Sequence, residues 1–527
     1  LQKIVNKETK ASSISHLLIL ALLSIYLFVS LMPEQGHDAL VHHLYFAAYV
    51  KNFGFWSFNF HDYVWALFPL SADLTISFFY MFGDEISSRL SLFLFLLIFI
   101  TTFYKILIEL NLKNKSLGIL LLLTCPVLFL ISTSMYIDIY WASSLLMIIY
   151  IVIRAYKQNL NNFELYLVAF TALSLTIKFI TVLYIFSGIL VFLIYAKKSY
   201  IIKLLGKVFS TPKNYIFIIF ALFPYIYSYI RTKNPVFPFF NKFFQSEYFS
   251  INNFTNSMYH YNDFHKILYD ITFHSEKFIE GGFGSFGFIW LFLFLPMTLF
   301  YFHTIKSNRI FIIIYLFCFF SVSSIFYFQS YLRYIFLVYP LFIVLFIRFY
   351  NEEINTISMK KYLYKKTLSF LIVVTVVLNA LHLNSATWYG ILDFDTLFNK
   401  GGQKFRQFED NFISWKSSTN KINEYDSNPN KRILYISPSQ AGNLKGYALY
   451  LNWHNSNNLQ NFIDSINEND FSQYLKDNEI DYVILWKPFL DRPTFANIKL
   501  EKNVMLSLIE KELRILDPDD PFAFIVK

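Results

Sequence analysis

The chain has 527 residues, of which 55% are hydrophobic, 21% aromatic and only 15% charged, with a formal net charge of +9. Soluble globular chains are roughly a quarter charged, so this composition excludes a single soluble core and indicates a polytopic membrane protein. Cys125 and Cys318 both lie inside apolar runs, which excludes a disulfide framework and a cysteine zinc cluster, and the positive charge calls for no nucleic-acid partner.

The first apolar run, Ile14–Met32, is followed by no small-residue cleavage site and reads as a retained first span. Further windows near the ~20-residue crossing length fall at 90–108, 117–131, 136–153, 163–177, 179–195, 214–230, 286–302, 310–328, 334–347 and 368–383. The expectation is therefore about eleven transmembrane helices. Lys178 divides the pair at 163–195, which together is too long for one crossing.

Loop charges orient these spans. Lys3, Lys7 and Lys10 precede the first one, and alternate loops ("ELNLKNKS", "RAYKQNLNN", "AKKSYIIKLLGKVFSTPKN", "TIKSNR", "RFYNEEINTISMKKYLYKK") are rich in Lys and Arg. Under the positive-inside rule they face the cytoplasm. The other side then holds a first loop (33–89), a middle loop (231–285) and a tail. The expected division is a membrane domain over 1–385 and an extracytoplasmic domain over 386–527. In the tail, β runs ("RILYISP", "DYVILW", "FAFIVK") alternate with helical stretches such as Val504–Leu513, the pattern of a small α/β domain.

Ionisable residues from distant parts of the chain converge on the outer side of this topology. They are His37 and Asp38 after the first span, Asp73 in "FPLSADL", Asp138 at the start of the fourth span, Lys178 at an outer turn, Arg231 and Lys233 in "IRTKNPVFPFFN", and Arg333 in "QSYLRYIFLVYP". Carboxylates at this depth can activate a hydroxyl or hold a divalent cation. Arg and Lys at helix ends there can hold a phosphate. Plainer roles compete: Arg231 and Arg333 as snorkelling anchors, Lys178 as a turn cap, Asp138 as a helix N-cap, and Asp84 and Glu85 as residues favouring a helix N-terminus. His42 and His43 fall in an apolar stretch, where packing is the commoner role, and no pair has a metal-ligand spacing such as HExxH. Ala39–Val50 is too short to span and reads as an interfacial helix with Asp38 at its start.

Six motifs in order resemble those of the GT-C superfamily of membrane glycosyltransferases, in the bacterial branch of oligosaccharyl- and aminoarabinose/mannosyl-transferases. "GHDALVHHL" is similar to a D-x-x-x-Y-H signature with His42 at the Tyr position, and "FPLSADLTISFF" to P-x-x-x-E-L with Asp73 for Glu. "TCPVLFLISTSMYIDIYWASSL" resembles a hairpin with Tyr-x-Asp at its outer turn, and "LSLTIKFITVL" an S-x-K-Y turn. "RTKNPVFPFFN" is similar to G-N-P-x-x-P-x-x-N with Lys233 for Gly, and "YLRYIFLVYPLFIVL" to R-Y-L-L-P-x-x-P. The resemblance implies a GT-C fold in a bacterial inner membrane. It also implies an inverting enzyme that moves a sugar from a polyprenyl-phosphate donor to a glycan, lipid or protein acceptor on the outer, periplasmic face. Asp38 would be the catalytic base and Asp138 would assist it. Lys178 and Arg333 would hold the leaving phosphate with help from Arg231 or Lys233, and His37, His42 and Asp73 would contact substrate. A His-Asp pair in place of two adjacent acids argues against a bridging metal, so no residue is assigned to one. Use of a divalent cation, Mg or Mn, stays open, because some branches need it and others do not. Two other functions compete, a transporter or flippase of lipid-linked sugars and a polymerase or ligase joining glycan chains. Neither internal repeats nor ionisable groups at the bilayer midplane support the transporter.

Overall fold

The structure is a computed structural model that describes residues 2–54, 60, 63–158, 162–195, 206–248, 260–279, 281–299, 308–354, 359–387 and 413–527. The chain divides into two compact units. One gathers Leu1–Ser30, Leu92–Ile226 and Phe254–Ile391, and the other Leu31–Ser91, Tyr227–Asn253 and Leu392–Lys527.

The first unit is helical. Among the described residues four helices, Ser71–Glu109 (which starts in the other unit), Asp138–Lys157, Pro212–Thr232 and Arg309–Phe328, are long and apolar enough to cross a membrane. The pair Lys115–Leu123 and Pro126–Thr133 is long and apolar enough only when taken together across a bend of 68°. The bend falls where Pro126, lacking an N–H, opens a new helix after Cys125 in extended conformation. At the remaining expected windows lie six shorter apolar helices, Ile14–Ser30, Phe163–Ile177, Thr181–Tyr195, Trp290–Leu299, Val338–Asn351 and Lys366–Leu381. The apolar stretch at 163–195 is two helices, broken where Lys178 turns extended (φ −152°, ψ 126°). Large side chains such as Ile216, Phe223 and Tyr327 stand exposed on these helices, as lipid-facing surface does and the surface of a soluble protein rarely does.

The helix Ser71–Glu109 breaks at Gly83 and Asp84, whose backbone leaves the helical region, with Asp84 at φ 54°. The hydroxyls of Ser87 and Ser88 donate to the carbonyls of Phe79 and Ile76 across the break, replacing helix hydrogen bonds that the break removes.

The second unit is built on a five-stranded sheet of order β2-β1-β3-β5-β4, comprising β1 (Arg432–Ile436), β2 (Tyr447–Tyr450), β3 (Tyr482–Leu485), β4 (Leu513–Asp517) and β5 (Asp520–Val526). β1 pairs in parallel with β2 and β3, and β5 runs antiparallel to β3 and β4. Strand alternation sends Leu434, Ile436, Val483 and Leu485 to one face, packed on Phe462, Ile466, Phe471 and Ile509 of the domain's own helices. Ile433, Tyr435, Tyr450 and Ile484 point to the other face, covered by Ile422 and by Val41, Tyr45, Tyr49, Tyr63 and Leu67 of the first loop.

This packing changes the reading of 39–50. Every residue from Ala39 to Val50 is buried, so the segment is not an interfacial helix on a leaflet. Its apolar side chains take protein contact instead, against the sheet. The Tyr450 hydroxyl donates to the Val41 carbonyl (3.0 Å), and the Ala448 amide donates to the Tyr45 hydroxyl (2.9 Å). Gly442 allows the close approach: a Cβ there would lie 2.9 Å from a Leu44 methyl.

Candidate active site

In the helical unit three expected residues meet. Asp138 opens the helix Asp138–Gln158, Lys178 occupies the break between two helices, and Arg333 lies in the tight turn Leu332–Ile335. All three are therefore held at helix ends. Lys178 Nζ donates to Asp138 Oδ1 at 2.7 Å, and Arg333 Nη1 lies 3.9 Å from Asp138 Oδ2. Asp138 and Arg333 are buried, at 2% and 6% exposed, while Lys178 is partly exposed, and the trio carries one net positive charge. Such a charge is costly unless matched by aromatic faces, hydrogen bonds or an anion.

Aromatic rings surround the trio. The Arg333 guanidinium lies 4.3 Å from the Tyr136 ring centre and 4.8 Å from that of Tyr331. Lys178 Nζ lies 4.7 Å from the Tyr334 ring and 5.3 Å from that of Trp141. Ring faces stabilise cations at these distances. The rings are themselves oriented, since Trp141 Nε1 donates to Thr181 Oγ1 at 2.8 Å and the Tyr184 hydroxyl donates to the Tyr334 carbonyl at 2.6 Å. Tyr-x-Asp and Arg-Tyr pairs in the sequence were the available signal.

In the second unit His37 and Asp38 are partly exposed, and Asp38 leads into a π turn, Ala39–His43, that continues as the helix Leu44–Phe53. His42 and Asp73 come together with His43, which the sequence reading had left to packing. His43 Nδ1 lies 2.6 Å from Asp73 Oδ1 and His42 Nε2 lies 3.7 Å from the same oxygen. Burial pushes the His42 imidazole down to about 3, against the opposing pull of Asp73, so it is neutral at physiological pH.

A second buried network fixes the loop that ends in Asp38. Glu85 accepts from the Glu34 amide, from Lys416 Nζ (2.9 Å to Oε1) and from Asn443 Nδ2 (2.7 Å to Oε2). Glu34 accepts from the amides of Gln35 (3.0 Å) and Gly36 (2.7 Å). Arg89 lies 3.6 Å from Glu34 and donates to the Met32 carbonyl. Glu34, Arg89 and Lys416 are fully buried. In the sequence Glu85 has the look of a helix-end residue, and nothing in it marks Glu34, Arg89 or Lys416.

Arg231 and Lys233 have neighbours of another kind. The Arg231 guanidinium lies 5.2 Å from the Phe60 ring centre, and Lys233 Nζ lies 5.9 Å from that of Tyr229. Lys233 has φ 62°, at the position where the resembled motif carries Gly, the residue that takes this conformation without strain. Asn234 scaffolds the turn beyond it, accepting from the Val236 amide (3.0 Å) and donating to the Phe239 carbonyl (2.9 Å).

Apolar helices broken at charged residues, together with a C-terminal α/β unit, mark a polytopic membrane protein whose fold solved structures share. The chain is similar to ArnT from Cupriavidus metallidurans in the apo state, at 12% identity and a TM-score of 0.58, with 98% of each chain covered. It is equally similar to ArnT from the same organism bound to undecaprenyl phosphate, at 12% identity and a TM-score of 0.58 over 97% of each chain. At this identity the likeness is one of fold. No family model and no curated protein sequence matches the chain.

Proposed function

We propose that the chain is an inverting membrane glycosyltransferase that takes a sugar from a polyprenyl-phosphate donor. The observation that carries this reading is the Asp138–Lys178–Arg333 trio, largely buried, with its four aromatic rings. A largely buried cluster with excess positive charge suits an anion held at the membrane, and the fold it sits in is one that has been solved with undecaprenyl phosphate.

In the proposed reaction Asp38 takes the proton from the acceptor hydroxyl as its oxygen attacks the anomeric carbon. The bond from that carbon to the phosphate oxygen breaks, and polyprenyl phosphate leaves with the bonding pair. Lys178 and Arg333 stabilise the charge that grows on the leaving phosphate, where an electrostatic site contributes most. Asp138 holds both cations in place and orients the acceptor. Arg231 and Lys233 add positive charge, and His37, His42 and Asp73 shape the acceptor side. The acceptor class is a surface glycan, glycolipid or protein.

The topology belongs to the same proposal. The six shorter apolar helices cross the bilayer together with the five longer spans, the N-terminus is cytoplasmic, and residues 386–527 form a domain on the outer face of the inner membrane.

The test is sugar transfer by purified protein from polyprenyl-phosphate sugars to a surface-glycan acceptor, comparing wild type with Asp38→Asn. A general base contributes about 10²–10⁴-fold, and a loss of that size is expected. Undiminished transfer by the variant would remove Asp38 from the reaction.

A further inference from the structure

We propose that Thr181 is a positioning residue for Lys178: its hydroxyl, locked to the Trp141 indole, sets where the Lys178 ammonium stands. The inference rests on the reading of Lys178 as a ligand of the leaving phosphate, and Thr181 acts only through that lysine. A lysine ammonium is a point charge on a flexible four-carbon stem, so its place depends on what fixes each end. The head is held by Asp138 Oδ1 at 2.7 Å and by the Trp141 and Tyr334 rings. The base is less secure, because Lys178 is extended in the break between the helices Phe163–Ile177 and Thr181–Tyr195. The first helix does not continue past it, so helix bonding alone does not fix this residue.

Thr181 ties the two helix ends together. Its hydroxyl lies 2.9 Å from the Ser174 carbonyl and 2.7 Å from the Lys178 carbonyl. The same two carbonyls accept the Lys178 and Thr181 amides at 3.1 and 3.2 Å, so the hydroxyl closes a ring of bonds around the break. The one hydroxyl proton is shared between the carbonyls, and a lone pair accepts the Trp141 indole N–H at 2.8 Å. Trp141 thus serves both ends of the lysine. Its ring lies 5.3 Å from Nζ, and its N–H holds the hydroxyl that fixes the base. The helix Asp138–Gln158 presents this lock along one face, because residues three apart are neighbours there. Asp138 bonds Lys178, Trp141 bonds Thr181, and Ser144 Oγ lies 2.8 Å from Ser174 Oγ. Trp141, Ser144, Ser174 and Thr181 are all buried. Water does not compete for these groups, and a bond left unmade costs its full desolvation. A misplacement of about 1 Å at a charged group can lower a reaction rate by about 10²-fold, so the lock bears directly on the phosphate site.

The test uses the full chain in detergent, titrated with polyprenyl phosphate. Thr181→Val keeps the shape of threonine without the hydroxyl, Thr181→Ala removes it with less bulk, and Thr181→Ser keeps it. Ser187, further along the same helix, donates to the Leu183 carbonyl at 2.8 Å, and Ser187→Ala is the control for loss of a buried hydroxyl. Thr181→Val and Thr181→Ala should weaken lipid-phosphate binding by about 10-fold, the low end for a hydrogen bond to a charged group. Thr181→Ser and Ser187→Ala should bind with close to wild-type affinity. In the same samples, acylation of the Lys178 amine, followed by peptide mass spectrometry, should quicken several-fold in the two variants that lack the hydroxyl and in neither of the others. This second measurement needs no lipid. If the wild type binds no polyprenyl phosphate, the phosphate-site reading fails, and acylation still decides whether Thr181 places Lys178. Acylation at the wild-type rate in Thr181→Val and Thr181→Ala overturns the proposal. So does wild-type lipid affinity in those variants, an equal loss in Ser187→Ala, or a failure of serine to restore binding.

Discussion

Lys416→Met tests the buried network behind Asp38. Lys416 Nζ sits 2.8–2.9 Å from both oxygens of Glu85, and its side chain has no solvent exposure. Methionine keeps the length and apolar stem but leaves Glu85 without its ammonium partner. Removing one member of a buried pair costs about 3–5 kcal/mol. Glu85 would retain the Asn443 amide and the Glu34 backbone N–H, which places the cost near the lower end, about 3 kcal/mol. For a folding unit of about 150–250 residues this is a fall in thermal midpoint of roughly 6–12 °C. Glu85→Gln combined with Lys416→Met removes both charges and should recover much of the loss, because replacing a whole buried pair is often nearly neutral. The assay is thermal unfolding of the four proteins in one detergent, followed by intrinsic fluorescence. If Lys416→Met melts with the wild type, or the double variant loses the sum of the two single losses, the pair is not a coupled buried contact and the reasoning is wrong.

Arg333→Ala removes a cation held by two tyrosines and should weaken polyprenyl-phosphate binding by about 1.5–3 kcal/mol, roughly 10- to 150-fold in Kd; titration with the lipid phosphate reads this directly, and unchanged affinity would return Arg333 to a packing role. Gly446→Ala places a Cβ 2.6 Å from the Lys431 carbonyl oxygen, beside the Tyr447 amide bond to the same carbonyl that begins the β1–β2 pairing. Overpacking of this kind costs about 1–3 kcal/mol, and the thermal midpoint should fall accordingly, whereas a neutral substitution would show that the strand can shift. Asp138→Asn removes the charge between two cations and should impair transfer while leaving helix content by circular dichroism unchanged; a loss of helix would instead assign Asp138 a folding role.

Apolar run length was enough to place the helices, because a bilayer requires a continuous stretch that little else in a sequence mimics. The sheet was legible at β1, β3 and β5, whose runs of β-branched and aromatic residues stand out against a polar tail. β2, the four residues Tyr447–Tyr450, has no β-branched residue and did not register. Asp138, Lys178 and Arg333 could be singled out because an ionisable group beside a long apolar run is conspicuous. Lys416 could not, since "SWKSSTN" looks like any solvated helix and its partner Glu85 lies 331 residues away.

Local rules failed where long-range packing decided the outcome. Glu85 before an apolar helix satisfies the helix-dipole rule, so the rule raised no reason to look further. In the fold, that carboxylate joins the first loop to the C-terminal domain through Lys416 and Asn443. The apolar stretch 39–50 failed in the same way. Its pattern specifies burial but not the burying surface, and lipid and a sheet face are both apolar. The sheet's second face, lined by Tyr435 and Tyr450, decides between them, and hydroxyls provide the reason: Tyr45 and Tyr450 each bond to backbone across the contact. Lipid tails offer no partner for those groups. A segment rich in buried tyrosine beside an α/β domain is therefore better matched to a protein surface than to a leaflet, and the loop carrying Asp38 takes its position from the C-terminal domain.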